Sequence, residues 1–331
     1  MHSSTSNSSP LARAPKSRSM ATIIIAIFIA IIFVGTSEIF WRQKNHVSFY
    51  TDSSARWSKV RDSIYKDNTV VLLGASRMHV GFSHDTFNKT FSNYHLANLA
   101  TDGSNFIPIL ENLANDENFK GIILISATIN TLTTDNPINS NLIYYQREWN
   151  IIRNLELYID DKFQANLVSL NPNLTFSSIL RSLKRSKKIP KKNYLNSQID
   201  REINCDYSLA DQNLFKKNNE SFKSKTNLIK ISNKNIEKIN LYIKAIKNRG
   251  GKLVFIHFPI SFTGQKVINN NIRYSIWKDF ENKIDIPTLH YLDYPKLKRF
   301  NCPDGSHIDA KDKNKFTKDL IQILIDIKVL P

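Results

Sequence analysis

Cysteine is nearly missing from this 331-residue chain, and the two that occur, Cys205 and Cys302, cannot build a zinc ribbon or a disulfide framework. Glycine is scarce as well, at nine residues, and none forms a phosphate-cradling loop or a dinucleotide fingerprint. His79, His84, His95 and His257 lack metal-ligand spacing, so neither a metal nor a diffusible cofactor is expected. Acidic residues are outnumbered, 29 against 46 Lys plus Arg, for a formal net charge of +17. That excess raises nucleic acid, anionic membrane surfaces and acidic polymers as partners without choosing among them. A hydrophobic share of 41% and a charged share of 23% exclude a wholly disordered chain and a collagen-like fibre, and leave room for a sizeable core.

One long apolar run is present. Ala21 to Phe40 reads ATIIIAIFIAIIFVGTSEIF, with Glu38 its only charge. Twenty helical residues span about 30 Å, the hydrocarbon thickness of a bilayer. Arg13, Lys16 and Arg18 precede it in a Ser-rich tail, which predicts a cytoplasmic N-terminus and an exported body, periplasmic or extracellular. Arg42 and Lys44 on the far side reduce that bias. A cleavable signal peptide would have a shorter apolar region and an A-x-A-like site. The expectation is a single-pass anchor, with Phe40 and Trp41 in the interfacial belt. An exported body does not meet DNA, so its basic balance points to envelope polymers or lipid headgroups. Export also permits a Cys205–Cys302 disulfide.

The body predicts an α/β fold. Apolar, β-branched runs at Thr69 to Leu73, Tyr94 to Leu99, Gly121 to Ser126, Lys252 to Phe258 and Thr288 to Leu292 suit buried strands. Between and after them lie helical patterns over Asn105 to Asn115, Asn235 to Asn248, Trp277 to Lys283 and Lys311 to Ile327. This alternation predicts a three-layer α/β/α arrangement around a parallel sheet, whose chemistry gathers at the carboxyl ends of the strands. The chain divides into a cytoplasmic tail (1–19), an anchor (20–41), a linker (42–67) and an α/β domain (68–330). An Asn-, Lys- and Ser-rich insertion occupies about 140–230 and contains the basic run Arg181 to Lys188. That run is either a solvated helix end or a contact for an anionic polymer or headgroup.

Glycine placement marks three candidate sites. Gly74-Ala75-Ser76-Arg77 follows the first strand directly. A serine there either caps a helix or presents its hydroxyl and its own N–H above the sheet edge, as a nucleophile with one oxyanion donor. Asp304-Gly305-Ser306-His307 precedes the closing helix. Here an acid (Asp304 or Asp309) caps that helix, or Asp304 orients His307 as the base a serine hydroxyl requires. In Asn98-Leu99-Ala100-Thr101-Asp102-Gly103, the glycine N–H offers a second oxyanion donor. Arg77 either holds an anionic substrate or pairs with a nearby acid, and His257 reads as a hydrogen-bonded core residue.

In this order, VVLLGASRMHVGF (Val70 to Phe82), NLATDG (Asn98 to Gly103), IILISATIN (Ile122 to Asn130) and DGSHIDAKDKNKFTKDL (Asp304 to Leu320) resemble the SGNH (GDSL-like) hydrolase superfamily. The likeness is closest to membrane-anchored members from envelope polysaccharide and teichoic-acid modification systems. It implies Ser76 as nucleophile, His307 as base and Asp304 as orienting acid, with Ser76, Gly103 and Asn130 forming the oxyanion hole and Arg77 binding substrate. It further implies a serine esterase or O-acyltransferase working on acyl esters of an envelope polysaccharide or other anionic glycan, with a membrane acyl-donor protein as partner. The competing expectation is an inactive scaffold or glycan-binding protein on the same fold. Two departures stand out. The first motif reads Gly-Ala-Ser-Arg rather than Gly-Asp-Ser, and Ile129 sits where alignment expects the oxyanion-binding Asn, with Asn130 one residue late. Losing one such donor typically costs on the order of 3 kcal/mol of transition-state stabilisation.

Overall fold

The computed structural model describes residues 16–134, 137–210, 231–261 and 265–331. Most of the expected cytoplasmic tail, and residues 211–230 of the insertion, lie outside the described residues. Five parallel strands form the central sheet: β1 (Thr69–Leu73), β2 (His95–Asn98), β3 (Ile122–Ser126), β6 (Lys252–His257) and β7 (Thr288–His290). Their order is β2-β1-β3-β6-β7, so the connections change direction between β1 and β3. A ligand crevice opens at such a switch point, outside the carboxyl ends of the strands.

Alternate residues of each strand face opposite layers, and both layers are apolar. Val71, Leu73, Ile123, Ile125, Leu253 and Phe255 enter one core, against α2 (Ser54–Asp62), α5 (Ile107–Ala114), α10 (Asn233–Asn248) and α11 (Gln265–Glu281). Val70, Leu72, Leu124, Val254 and Ile256 enter the other, against α3 (Ser76–Gly81), α4 (His84–Thr90), α12 (Pro295–Lys298) and α13 (Ala310–Asp326). Burial on both faces explains why the strands read as unbroken apolar runs rather than alternating ones. The stretch expected as a linker carries α2, whose Trp57 is fully buried and donates its indole N–H to Leu99 O at 3.0 Å.

The insertion between β3 and β6 contributes helices α7 (Ser140–Arg147), α8 (Ile151–Asn166) and α9 (Phe176–Ser186), then an antiparallel hairpin of β4 (Leu195–Ser197) and β5 (Ile203–Cys205). Ahead of everything, α1 (Lys16–Gln43) contains a span, Met20–Gln43, long and apolar enough to cross a membrane, with an 18-residue stretch of mean hydropathy 2.6, none of which is buried. Its Trp41, expected in an interfacial belt, packs against the body. The indole is 5% exposed and packs on Val168 and Leu174 of the insertion, making it a joint between α1 and the body.

Gly74 permits the turn that ends β1. Its φ of +137° lies where side chains are strained, and a Cβ there would meet Ser126 O at 2.7 Å. Gly74→Ala is therefore expected to destabilise the protein by about 2 kcal/mol or more. Denaturant unfolding of the detergent-solubilised chain checks this, and an unchanged midpoint would show that the turn does not depend on glycine.

Candidate active site

Sharp turning at Gly74 starts α3 immediately beyond the sheet edge. Ala75 is the N-cap and makes no side-chain capping bond, so Ser76 stands at the first helical position with its hydroxyl free of cap duty. At the other end of the chain, Asp309 is the N-cap of α13 and accepts from Lys311 N at 3.1 Å. With that cap supplied, Asp304 is available to a different partner. Its Oδ1 accepts from Ser306 N and His307 N, both at 2.8 Å, while its Oδ2 meets His307 Nδ1 at 2.7 Å. His307 Nε2 then lies 2.7 Å from Ser76 Oγ. Gly305, with φ of +87°, closes the turn that folds the acid back onto the imidazole.

One proton can move along this line, from Ser76 Oγ to His307 Nε2, while the Nδ1 proton stays on the imidazole. With Asp304 accepting from Nδ1–H, Nε2 is left as the acceptor of the Ser76 hydroxyl proton, the tautomer a general base needs. Burial alone would raise the Asp304 pKa, but the His307 bond and charge, the Ser306 N–H and a Tyr207 hydroxyl bond hold it down at about 2. Tyr207 belongs to the 3-10 turn Tyr207–Leu209 just after the β4–β5 hairpin. Its own pKa is raised by burial and by the neighbouring thiol and carboxylate. No sequence signal marked this tyrosine as a partner of the acid.

The loop Asn98 to Gly103 passes beside the turn that carries Ser76, with Thr101 N donating to Gly74 O at 3.0 Å. Gly103 has φ of +67°. Among the described residues, neither its N–H nor that of Ser76 has a hydrogen-bond acceptor, and the first N–H groups of a helix have no intrahelical partner. The loop is pinned from outside. Arg201, fully buried at the hairpin turn, donates to Asn98 O and Ala100 O and clasps Asp52 at 2.6 and 2.9 Å. His79 Nδ1 meets Asp102 at 3.0 Å, and this bond and charge outweigh burial to lower the Asp102 pKa.

Beyond β3, Thr128 caps α6 (Ile129–Thr133) through a capping box with Thr131. Ile129 is buried in the core, while Asn130, the second residue of that helix, is exposed. Arg77 donates from Nε to Ser306 Oγ at 3.2 Å and has no carboxylate within salt-bridge distance among the described residues. Burial and the nearby Arg273 both depress its pKa, against the opposing pull of Cys302 and Asp304.

Other candidates separate cleanly. Cys205 and Cys302 are free buried thiols in different clusters, so the disulfide that export would permit is not formed. Burial pushes both up to about 12. His257 Nδ1 bonds Phe258 O at 3.0 Å and its ring stacks on His290, with burial holding its pKa well below the usual value. Ligand atoms of His84, Asp200 and Glu202 lie within 4.8 Å of one another, a grouping the sequence spacing did not reveal. These residues are engaged in a clamp: Asp200 holds His84 at 2.8 Å, and Glu202 takes the buried Lys313 ammonium at 2.5 Å. A cavity of about 330 Å³ lies away from Ser76, between residues 45–49 and the hairpin, lined by His46, Tyr194 and Leu209 among others.

No family model and no curated protein matches this chain. Its likenesses among solved structures include TesA, at 9% identity and a TM-score of 0.35 over 79% of this chain and 99% of that one. A Bacteroides fragilis NCTC 9343 protein described as an acylhydrolase gives 12% identity and a TM-score of 0.35 over 85% and 100%.

The depressed acids set an expected pH dependence. Asp304 and Asp200 both sit near 2 when folded, below their ordinary values, so their stabilisation is complete above the unfolded pKa and is lost as pH falls toward 2. Asp304→Asn removes its share, up to about 2 kcal/mol, and should flatten the acid-unfolding curve between roughly pH 4 and 2. Circular dichroism of both proteins across that range checks it; identical slopes would contradict the assigned carboxylate.

Proposed function

We propose that this chain is a membrane-anchored serine esterase or O-acyltransferase of the SGNH kind, acting on acyl esters of an envelope polysaccharide, with Ser76, His307 and Asp304 as its catalytic residues. The observation that carries the reading is the continuous line Ser76 Oγ, His307 Nε2, His307 Nδ1, Asp304 Oδ2, with 2.7 Å at each non-covalent contact. Residues more than two hundred positions apart form it at the carboxyl rim of a parallel sheet, where binding crevices occur.

Chemistry follows from the donors. Ser76 Oγ attacks the acyl carbon as His307 Nε2 takes the hydroxyl proton, and the imidazolium is stabilised by the Asp304 carboxylate. The N–H groups of Ser76 and Gly103 receive the developing oxyanion. As the tetrahedral adduct collapses, His307 returns its proton to the leaving alkoxide, and an acyl-Ser76 ester remains. A sugar hydroxyl or a water, deprotonated by His307, then attacks the acyl carbon, the bond to Ser76 Oγ breaks, and His307 returns the proton to Ser76. Ile129 contributes no donor, so the hole relies on backbone N–H groups unless Asn130 joins them, which fits a slow or specialised catalyst. Arg77, with no carboxylate partner among the described residues, suits an anionic group on the glycan. A second reading, an inactive scaffold, is favoured by that same Ile129.

A fluorophosphonate probe separates the two readings. The full chain in detergent is expected to label covalently, and Ser76→Ala and His307→Ala to lose labelling and ester turnover by at least about a thousandfold. Labelling that survives Ser76→Ala would remove the proposed nucleophile. Absent labelling of the folded parent would favour the scaffold. Tyr207→Phe is expected to lower kcat about tenfold with little change in KM, because the bond it removes supports a charged acid rather than the substrate.

A further inference from the structure

Helix α8 is amphipathic the wrong way round. Its inward residues include Asp161, paired with Arg56 at 2.7 Å and Lys59 at 3.4 Å, and Gln164, which accepts from Thr51 N at 2.7 Å. Its outward residues are Ile151, Ile152, Leu155, Tyr158, Ile159 and Phe163, each between 48% and 85% exposed. Their spacing places them along one helix face. The exposed Lys162 interrupts this face with its ammonium over the Tyr158 ring, and a largely apolar surface of this kind marks a contact site. The following helix repeats the theme. Phe176, Leu180 and Leu183 of α9 are exposed at 77%, 40% and 42%, beside the exposed cations Arg181, Lys184, Lys187 and Lys188.

The position of these faces is fixed by α1. The Glu38 carboxylate accepts from Val168 N at 2.9 Å and Ser169 N at 3.1 Å, and Arg42 donates to Asn166 O at 2.9 Å. Trp41 fills the space between Val168 and Leu174. The junction of α8 and α9 is thereby tied to the last turns of the apolar span Met20–Gln43. At 1.5 Å per residue that span is about 36 Å long, more than the roughly 30 Å hydrocarbon core, so its final turns emerge at headgroup level. A basic cavity of about 390 Å³, lined by Ser178, Arg181, Ser182, Lys191 and Lys192 among others, opens beside α9. Its cations match phosphate oxygens, while the Ser178 and Ser182 hydroxyls already donate to Pro172 O and Lys188 O.

We infer that α8 and α9 form a second membrane contact, lying on an anionic bilayer surface with their apolar faces at the acyl boundary and the α9 cations on lipid phosphates. This rests on the reading of α1 as a membrane-spanning anchor. Charge selects the occupant: a second copy placed symmetrically here would oppose like-charged α9 helices, whereas anionic lipid complements them. The combination of an apolar stripe and a basic flank is that of interfacial helices.

The test uses the full chain in phosphatidylglycerol–phosphatidylcholine vesicles, with an environment-sensitive fluorophore at Leu155→Cys, Ile159→Cys or Phe176→Cys. Phe28→Cys in α1 and Leu241→Cys on α10 serve as controls. Brominated lipid is expected to quench most emission at 155, 159, 176 and 28, and to leave 241 unaffected. Replacing Arg181, Lys191 and Lys192 by Ala should reduce quenching at 176 severalfold in these vesicles and not in pure phosphatidylcholine. Labels at 155, 159 and 176 that stay open to aqueous iodide while 28 is lipid-quenched would overturn the inference and spare the anchor. Aqueous exposure at 28 would instead overturn the anchor and, with it, this contact. Self-quenching between labels at 155 would assign the face to a second copy. Equal quenching in both vesicle types and in the Ala variant would overturn the phosphate contact.

Discussion

Burying the Arg201 guanidinium is tolerable only because its fork meets oxygens in several directions: both Asp52 carboxylate oxygens, Asn98 O and Ala100 O. An ion of this size loses several kcal/mol of hydration on burial, and full hydrogen bonding is what offsets the loss. The consequence is geometric. Three segments remote in sequence (the stretch before α2, the loop after β2 and the insertion hairpin) must meet at one point. The loop that carries Gly103 is shaped from behind by this cation, not by contacts within the loop alone. On either side of Arg201, Asp200 clasps His84 and Glu202 clasps Lys313, so the same turn also joins α4 and α13.

The insertion is consequently part of the site. Once its hairpin is fastened, Ile203, Cys205 and Tyr207 pack with Val80 of α3, and the Tyr207 hydroxyl reaches Asp304. A carboxylate that accepts from two backbone N–H groups, an imidazole and a phenol is held in one orientation and strongly favours its charged form. That is the property required of a group that orients a histidine and stabilises its protonated state. Ile129, at the position where the resemblance places an oxyanion-binding amide, lies in the core. In the proposed mechanism, precision is therefore concentrated on the proton path, and the oxyanion side is left to backbone donors.

The parts legible in the sequence are those governed by local rules. Thr69 to Leu73, Ile122 to Ser126 and Lys252 to His257 read as strands because burial on both faces makes them apolar throughout. Gly74 and Gly305 stood out because a positive φ or a close approach leaves few alternatives to glycine. Ser76, His307 and Asp304 fall beside those glycines and lie together in the fold. What could not be read depends on pairing across long separations. Arg201 to Asp52 spans 149 positions, and neither residue has a neighbourhood that announces the other. Tyr207 sits in a polar insertion with no periodic pattern. The insertion's basic run was visible, but the inverted amphipathicity of α8 was not, because periodicity shows that a helix has two faces and not which one turns inward.

These constraints bear on how the proposed anchored catalyst would meet its polymer. A single helix joined to a body by a loose linker leaves the site free to swing, with local concentration set by tether length. Here Trp41 and Glu38 lock the end of α1 to the α8–α9 junction, and the chain from α9 runs directly into the hairpin that supports Asp304. On the proposed reading, the anchor and the Asp304 side of the site are connected through the Trp41 joint, α9, the largely exposed segment 187–194 and the hairpin. With the α8–α9 faces also seated on lipid, rotation about α1 would be arrested and the carboxyl rim held at one height above the bilayer. An acyl donor delivered from the membrane would then meet Ser76 in a restricted range of poses. That restriction is the entropic condition under which a transfer to a sugar hydroxyl competes with hydrolysis.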